Sequence, residues 1–164
     1  QIISDGSNWY NLSKDKYRVA YIKNVQSSGT SGGTITGGSW QTVTLNTLEG
    51  DTEFISISSN QITLEPGVYN IDAEVPLMDS TLQAKAKLYN ITGTSDEIIG
   101  SSIYSSGAGS SLETMESVIR GRVVITASTT FEIRARTVNN GTYGFSSSFS
   151  VDEVYTQITI EKVN

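Results

Sequence analysis

Alternation of apolar and polar residues in short stretches constrains this chain more than any other feature, because a period of two belongs to β-strands. Tyr69, Ile71, Ala73 and Val75 alternate with Asn70, Asp72 and Glu74. Leu82, Ala84, Ala86 and Leu88 alternate with Gln83, Lys85, Lys87 and Tyr89, and Phe131, Ile133 and Ala135 with Glu132, Arg134 and Arg136. Each such strand buries one face and presents the other to water, as antiparallel sheets do. The alanines on the apolar faces mark places where two sheets come close. Gly, Ser, Thr and Asn separate the stretches, which recur about every ten residues. Strands are expected near Val19–Val25, Trp40–Asn46, Phe54–Ser59 with Gln61–Leu64, Gly67–Val75, Leu82–Asn90, Ile98–Tyr104, Met115–Ala127, Phe131–Thr137, Gly144–Phe149 and Val154–Val163. Leu112, Met115, Glu116 and Ile119 have helical spacing, but the run is short and lies among β-branched residues, so a strand is expected there too. Many short strands at this spacing make an all-β sandwich or barrel.

Composition removes several functions. The 164 residues suit one domain, and 37% are hydrophobic, enough for a core. With 17 acidic against 11 basic residues the net charge is -6, which argues against nucleic-acid binding. No apolar run approaches the ~20 residues that span a bilayer, so no membrane insertion is expected. Cysteine is absent, so there is no disulfide framework or thiolate ligand. Histidine is absent too, which removes the commonest general base and metal ligand. Gln1 in place of an initiator Met reads as a fragment or a processed product.

No catalytic constellation emerges. Asp72 and Glu74 share a strand face, roughly 6.5–7 Å apart by strand rise, a spacing that could serve glycoside hydrolysis. A solvated face balanced by Lys85 or Lys87 accounts for them more simply. Ser106-Gly107-Ala108-Gly109 and Ser31-Gly32-Gly33 lack the Lys-Ser/Thr ending of a phosphate loop, and no Gly-x-Ser-x-Gly elbow occurs. Asp51, Asp96, Asp152 and Glu153 lie near expected loops, which leaves calcium as the one conceivable metal. Otherwise no cofactor and no enzymatic activity are expected.

The run Gln61-Ile-Thr-Leu-Glu-Pro-Gly-Val-Tyr-Asn-Ile-Asp-Ala-Glu-Val75 resembles the C1q/TNF-like superfamily, in which a strand, a Pro-Gly turn and Gly-x-Tyr-x-(Phe/Ile) follow one another. Trp40–Asn46, Ser117–Ile133 and Ser148-Phe149-Ser150 resemble further segments, although Ser128-Thr129 stands where that family has Gly-Asp, and Val151 where it has Gly. The resemblance covers about residues 18–163. It implies a ten-strand antiparallel jelly-roll sandwich that assembles as a homotrimer through one sheet. It also places Met115–Ala127 and Phe131–Thr137 on opposite sheets, whereas local rules would join them as a hairpin through Ser128-Thr129-Thr130. Both versions turn Ile125 and Ile133 inward.

Residues 1–17 read differently. Ser4-Asp5-Gly6-Ser7-Asn8-Trp9-Tyr10 resembles the segment that closes stem modules in bacteriophage tail-fibre and other virion proteins, and Asn11–Tyr17 looks like a neck. The chain thus divides into a stem end at 1–17 and a jelly-roll head at 18–164. The function implied is a trimeric virion fibre head for host attachment. Its partners would be a host-surface receptor or glycan, or other virion proteins. The alternatives are a capsid decoration or cement protein and a secreted C1q-like recognition domain.

Two groups of residues are singled out. On the last strand, Val154, Ile158 and Ile160 should face the core and Tyr155, Gln157 and Thr159 should face out, placing Tyr155 and Gln157 at the trimer interface. Arg134 and Arg136 share an outward face, as do Arg120 and Arg122. They suit an intersubunit network with Glu132, Asp152, Glu153 or Glu161, because guanidinium pairs bidentately with carboxylate. Ligand recognition is expected in the Gly/Ser-rich segments 26–39, 104–111 and 139–145, beside Trp40, Tyr104, Tyr143 and Phe145.

Overall fold

The computed structural model describes residues 2–4, 6–7, 9–11, 18–79, 83–105 and 113–163. Every regular element among them is a β-strand. β1 (Ile2–Ser4) and β2 (Trp9–Asn11) form a separate antiparallel hairpin. From Arg18 onward two sheets stack as a sandwich. The seven-stranded sheet contains β3 (Arg18–Gln26), β4 (Thr34–Ile35), β6 (Thr47–Gly50), β9 (Gly67–Asp79), β12 (Glu113–Ile125), β14 (Gly141–Thr142) and β15 (Glu153–Val163). Its main order is β6-β3-β15-β9-β12, with β14 on the far end of β9 and β4 on β14. The six-stranded sheet runs β11-β10-β13-β8-β7, from β11 (Ser95–Tyr104), β10 (Gln83–Asn90), β13 (Thr129–Thr137), β8 (Gln61–Leu64) and β7 (Ile55–Ser58), with β5 (Gln41–Thr42) on β13.

The alternation predicts the core. Tyr69, Ile71, Ala73 and Val75 are each at most 2% exposed, and the pattern extends to Leu77. Ala84, Ala86 and Leu88 face them from β10, and Phe131, Ile133 and Ala135 from β13, while Leu82 lies outside the described residues. Each large side chain buried this way contributes about 1.5–3 kcal/mol. Glu113–Ile125 is extended, not helical, and pairs along its whole length with Gly67–Asp79.

β12 and β13 lie on opposite sheets, so the local hairpin reading of Ser128-Thr129-Thr130 fails. Each strand has a long partner elsewhere, and Ile125 and Ile133 meet one core from opposite sides. Two other expectations change. Trp40–Asn46 is not one strand: only Gln41–Thr42 pairs with β13, and the chain then crosses between sheets. Val43 N donates to Ile133 O at 2.9 Å, and Asn46 N donates to Lys23 O at 3.0 Å on the other sheet. Gly144–Phe149 is not a strand, because Gly144, Ser148 and Ser150 have positive φ (112°, 57° and 63°) that no ladder accommodates.

Local chemistry fixes the corners. Ser59 and Asn60, both at positive φ, make the two-residue turn between β7 and β8. At Pro66-Gly67, buried Tyr69 donates its hydroxyl to Glu65 O at 2.7 Å and stacks on Phe54 with centroids 5.6 Å apart. Lys162 Nζ donates to Pro66 O at 3.1 Å. A Cβ on Gly67 would come within 2.8 Å of Lys162 Cε, so only glycine fits there without displacement.

A polar seam ties the two layers together at one edge. The β10–β11 ladder shifts register between Lys85 and Lys87, which frees the Ala86 amide. That amide donates to Ser117 Oγ of β12 at 2.9 Å, and Ser117 Oγ donates to Ser101 O of β11 at 2.7 Å. Val118 N completes the seam on Ser101 Oγ at 2.9 Å. Ser117 is fully buried, so its bond to the Ala86 amide replaces water that has no access, while the bonds on Ser101 lie nearer the surface.

Candidate functional site

The eight singled-out residues sort into three places that differ from the two expected groups. Trp40, Tyr104, Arg134 and Arg136 share the outer face of the six-stranded sheet. Tyr143, Phe145 and Tyr155 lie at the loop end. Gln157 lies on the outer face of the seven-stranded sheet.

On the six-stranded sheet, register sets two rows of cations. Lys87 lies directly opposite Arg134, and Lys85 directly opposite Arg136. The first row is neutralised within the chain. Lys87 is only 6% exposed; its Nζ sits 4.2 Å from the Trp40 ring centroid and pairs with Asp96 of β11. Arg134 lies 3.5 Å over the Tyr89 ring and pairs with Glu132. Glu132 is buried although it points outward, and it also accepts a 2.7 Å hydrogen bond from Thr42 Oγ1. Arg134 is therefore held within its own protomer and on a different sheet from Gln157. The second row has no such carboxylate: neither Lys85 nor Arg136 makes an ion pair among the described residues. Trp40, Gln83, Lys85, Arg136, Thr137 and Val138 line a groove of about 290 Å³ there. Tyr104, exposed at 67%, stands across the strand pair from Gln83.

At the loop end, the inward/outward reading of β15 needs correction. Val154 is 45% exposed and Tyr155 is 8% exposed, the reverse of the expectation. A bulge between Val154 and Gln157 shifts the alternation, turning Tyr155 and Thr156 inward. Tyr155 donates its hydroxyl to Thr30 O at 2.8 Å and packs on Gly32 and Gly144, where an added Cβ would lie within 2.8 Å of its ring. Tyr143 is also buried, and burial pushes its phenol up to about 12. These rings pin their own loops, whereas Phe145, Phe149 and Val151 are exposed at 58%, 78% and 65%.

Glu153 organises that loop. Its carboxylate accepts from Ser148 N (2.8 Å), Ser147 N (3.1 Å), Ser147 Oγ (2.9 Å) and Gly29 N (3.4 Å). The Ser148 and Ser147 amides hold it below the usual carboxylate range. Glu153 is thus a structural keystone rather than a partner for Arg134. Of the other acidic residues considered for calcium, Asp51 pairs with Arg18 and Asp96 with Lys87. Among the described residues no three acidic side chains gather around one point.

The outer face of the seven-stranded sheet carries a shallow concavity of about 760 Å³ lined by Asn70, Asp72, Glu74, Arg120, Arg122, Gln157, Thr159 and Glu161. Arg120, directly opposite Asp72, donates to it at 2.7 Å. Asp72 is therefore balanced by Arg120, and not by Lys85 or Lys87, which lie on the other sheet. Tyr21 (45% exposed) and Val124 (66%) flank this face. Tyr21, which the sequence reading passed over, is the outward tyrosine of the sheet. Its position between buried Ala20 and Ile22 was the available signal. Glu153 and Lys87 were passed over as organising residues, and nothing local announces either role.

No protein-family model and no curated protein matches the chain. Solved structures do. Murine APRIL, crystallised at pH 8.0, superposes with a TM-score of 0.61 at 12% identity, covering 90% of this chain and 100% of that one. The Eiger TNF of S. frugiperda gives a TM-score of 0.61 at 10% identity, covering 90% of this chain and 93% of that one. Together with the two antiparallel sheets, these likenesses show that the chain has the TNF-like jelly-roll fold.

Proposed function

We propose that this chain is the non-catalytic head of a trimeric virion fibre, attaching the particle to a host-surface receptor. The observation that carries this reading is the outer face of the seven-stranded sheet. It is a broad β-surface where exposed Tyr21, Val124 and Val154 surround a row of polar residues centred on Asp72 and Arg120. Apolar side chains at this exposure around a charged centre suit burial against identical copies, with tyrosine tolerating the mixed surroundings. The fold supports the same reading, because C1q/TNF-like domains associate through this sheet. The sequence pattern from Ser4 to Tyr10, carried on the β1–β2 hairpin, supports a stem end before the head. Loops and the opposite sheet then remain free for recognition.

The test is sedimentation equilibrium of the purified chain, followed by competition of the soluble protein with particles for host cells. A trimer that blocks adsorption is the expected result. A stable lone protomer at micromolar concentration removes the trimer, and a trimer that leaves adsorption untouched removes the attachment role.

A further inference from the structure

We propose that the groove between Lys85, Arg136 and Trp40 is a binding site for an anionic saccharide, a single sugar ring carrying a carboxylate or sulfate group. This names the ligand class for the recognition role above and rests on that reading. Nine of the chain's cationic side chains are described, and five make ion pairs: Arg18, Lys23, Lys87, Arg120 and Arg134. Lys162 donates to a backbone carbonyl. Of the remaining three, Lys85 and Arg136 are directly opposite each other on adjacent strands, and Arg122 is on the other sheet.

Like charges directly opposite in a ladder repel, so this pair destabilises the sheet unless an anion bridges it. The neighbouring row shows the contrast. There the same cation-against-cation register is neutralised by Asp96 and Glu132, while the row beside the groove is left open. Arg136 is exposed and Lys85 half-buried, so both are accessible from the groove.

The rest of the lining selects the ligand. Trp40, half-buried, has Lys87 Nζ over its ring and contributes its remaining surface to the groove. An indole beside polar side chains suits the C–H face of a sugar ring. Gln83, exposed at the edge of the groove, supplies a donor and an acceptor for hydroxyl groups, and exposed Val138 forms an apolar wall. At about 290 Å³ the groove lies at the lower end of ligand-pocket sizes, which favours one ring over an extended peptide. A guanidinium fork and an ammonium on either side of one anionic group give charge-assisted hydrogen bonds that a neutral sugar cannot make.

The experiment uses the whole purified chain and titrates it by NMR with glucuronic acid, N-acetylneuraminic acid, glucose 6-sulfate, neutral glucose, sodium sulfate and a Glu-rich peptide. At least one acidic sugar should bind, neutral glucose should not, and binding should weaken with added salt. Lys85→Gln and Arg136→Gln should each weaken it about tenfold or more. Both variants remove repulsion, so both should fold as stably as the parent. Arg122→Gln, on the opposite sheet, should leave binding unchanged. The proposal is overturned if no acidic sugar binds at millimolar concentration, if the double variant binds as well as the parent, or if sulfate or the peptide binds in preference to every acidic sugar. A chain that still trimerises and blocks particle adsorption with both residues replaced would sink this site and leave the attachment role standing.

Discussion

Replacing Ser117 by Ala tests how the two layers are joined. Its hydroxyl accepts from the Ala86 amide at 2.9 Å and donates to Ser101 O at 2.7 Å, and the residue is fully buried. Alanine fits the space but leaves the Ala86 amide without a partner where water has no access, and takes the donor from the part-buried Ser101 carbonyl. The orphaned buried amide costs about 1–3 kcal/mol and the carbonyl, which water can reach, adds little, so a loss of up to about 3 kcal/mol is expected. That is a large share of the roughly 5–15 kcal/mol by which such domains are stable. It corresponds to a fall in Tm of about 6–12 °C for a domain of this size. Urea unfolding at fixed protomer concentration is the assay, because assembly would otherwise move the midpoint. The midpoint should drop with an unchanged m-value. Amide exchange adds a local reading: Ala86 should lose protection more than its neighbours. A change below about 0.5 kcal/mol, with Ala86 still protected, would refute the idea that this hydroxyl closes the edge.

Two further outcomes concern the loop end. Tyr143 Oη is buried without a hydrogen-bond partner, so Tyr143→Phe should be neutral or stabilising in urea at neutral pH. Burial raises its phenol from 10 to about 12 in the folded chain, so stability is intact below pH 10 and lost as pH rises toward 12. The parent should therefore lose about 2–3 kcal/mol relative to the Phe variant across that window; parallel curves would contradict it. Glu153 behaves in the opposite sense. Its carboxyl lies below the usual range when folded, so its contribution is present above that range and disappears as pH falls through the lowered value. Protection of the Ser147 and Ser148 amides, measured against their intrinsic exchange rates, should fall in acid, and Glu153→Gln should reproduce this near neutrality. Protection in Glu153→Gln equal to that of the parent would show that the carboxylate does not hold the loop.

The buried faces of β9, β10 and β13 were legible because an uninterrupted period of two needs no knowledge of partners. Tyr155 was misread because one bulge between Val154 and Gln157 inverts the alternation, and a bulge leaves no mark in the order of residues. The segment 144–149 was expected as a strand, but its backbone is held by Glu153, several residues later, which also accepts from Gly29, more than a hundred residues earlier. The grouping of candidate residues failed for a related reason. Arg134 and Gln157 both lie on outward faces, and only the crossovers decide that those faces belong to different sheets. Trp40 was expected in a recognition loop; its position over Lys87 depends on a strand more than forty residues away. The Pro66–Tyr69 element was readable because Pro66 and Gly67 mark the turn locally and the Tyr69 hydroxyl reaches back only to Glu65.

The pairing of Arg18–Gln26 with Glu153–Val163 has a consequence for how the protein is made. These strands sit side by side in the middle of their sheet, between β6 and β9. A ribosome must therefore deliver the chain from Arg18 through about Val163 before the layer can close. Until then the nascent chain carries an unzipped gap with bare hydrogen-bonding edges on both sides, open to mispairing with neighbouring chains. Slow, all-at-once closure once Glu153–Val163 has emerged is the expected course, as for other topologies dominated by distant pairings.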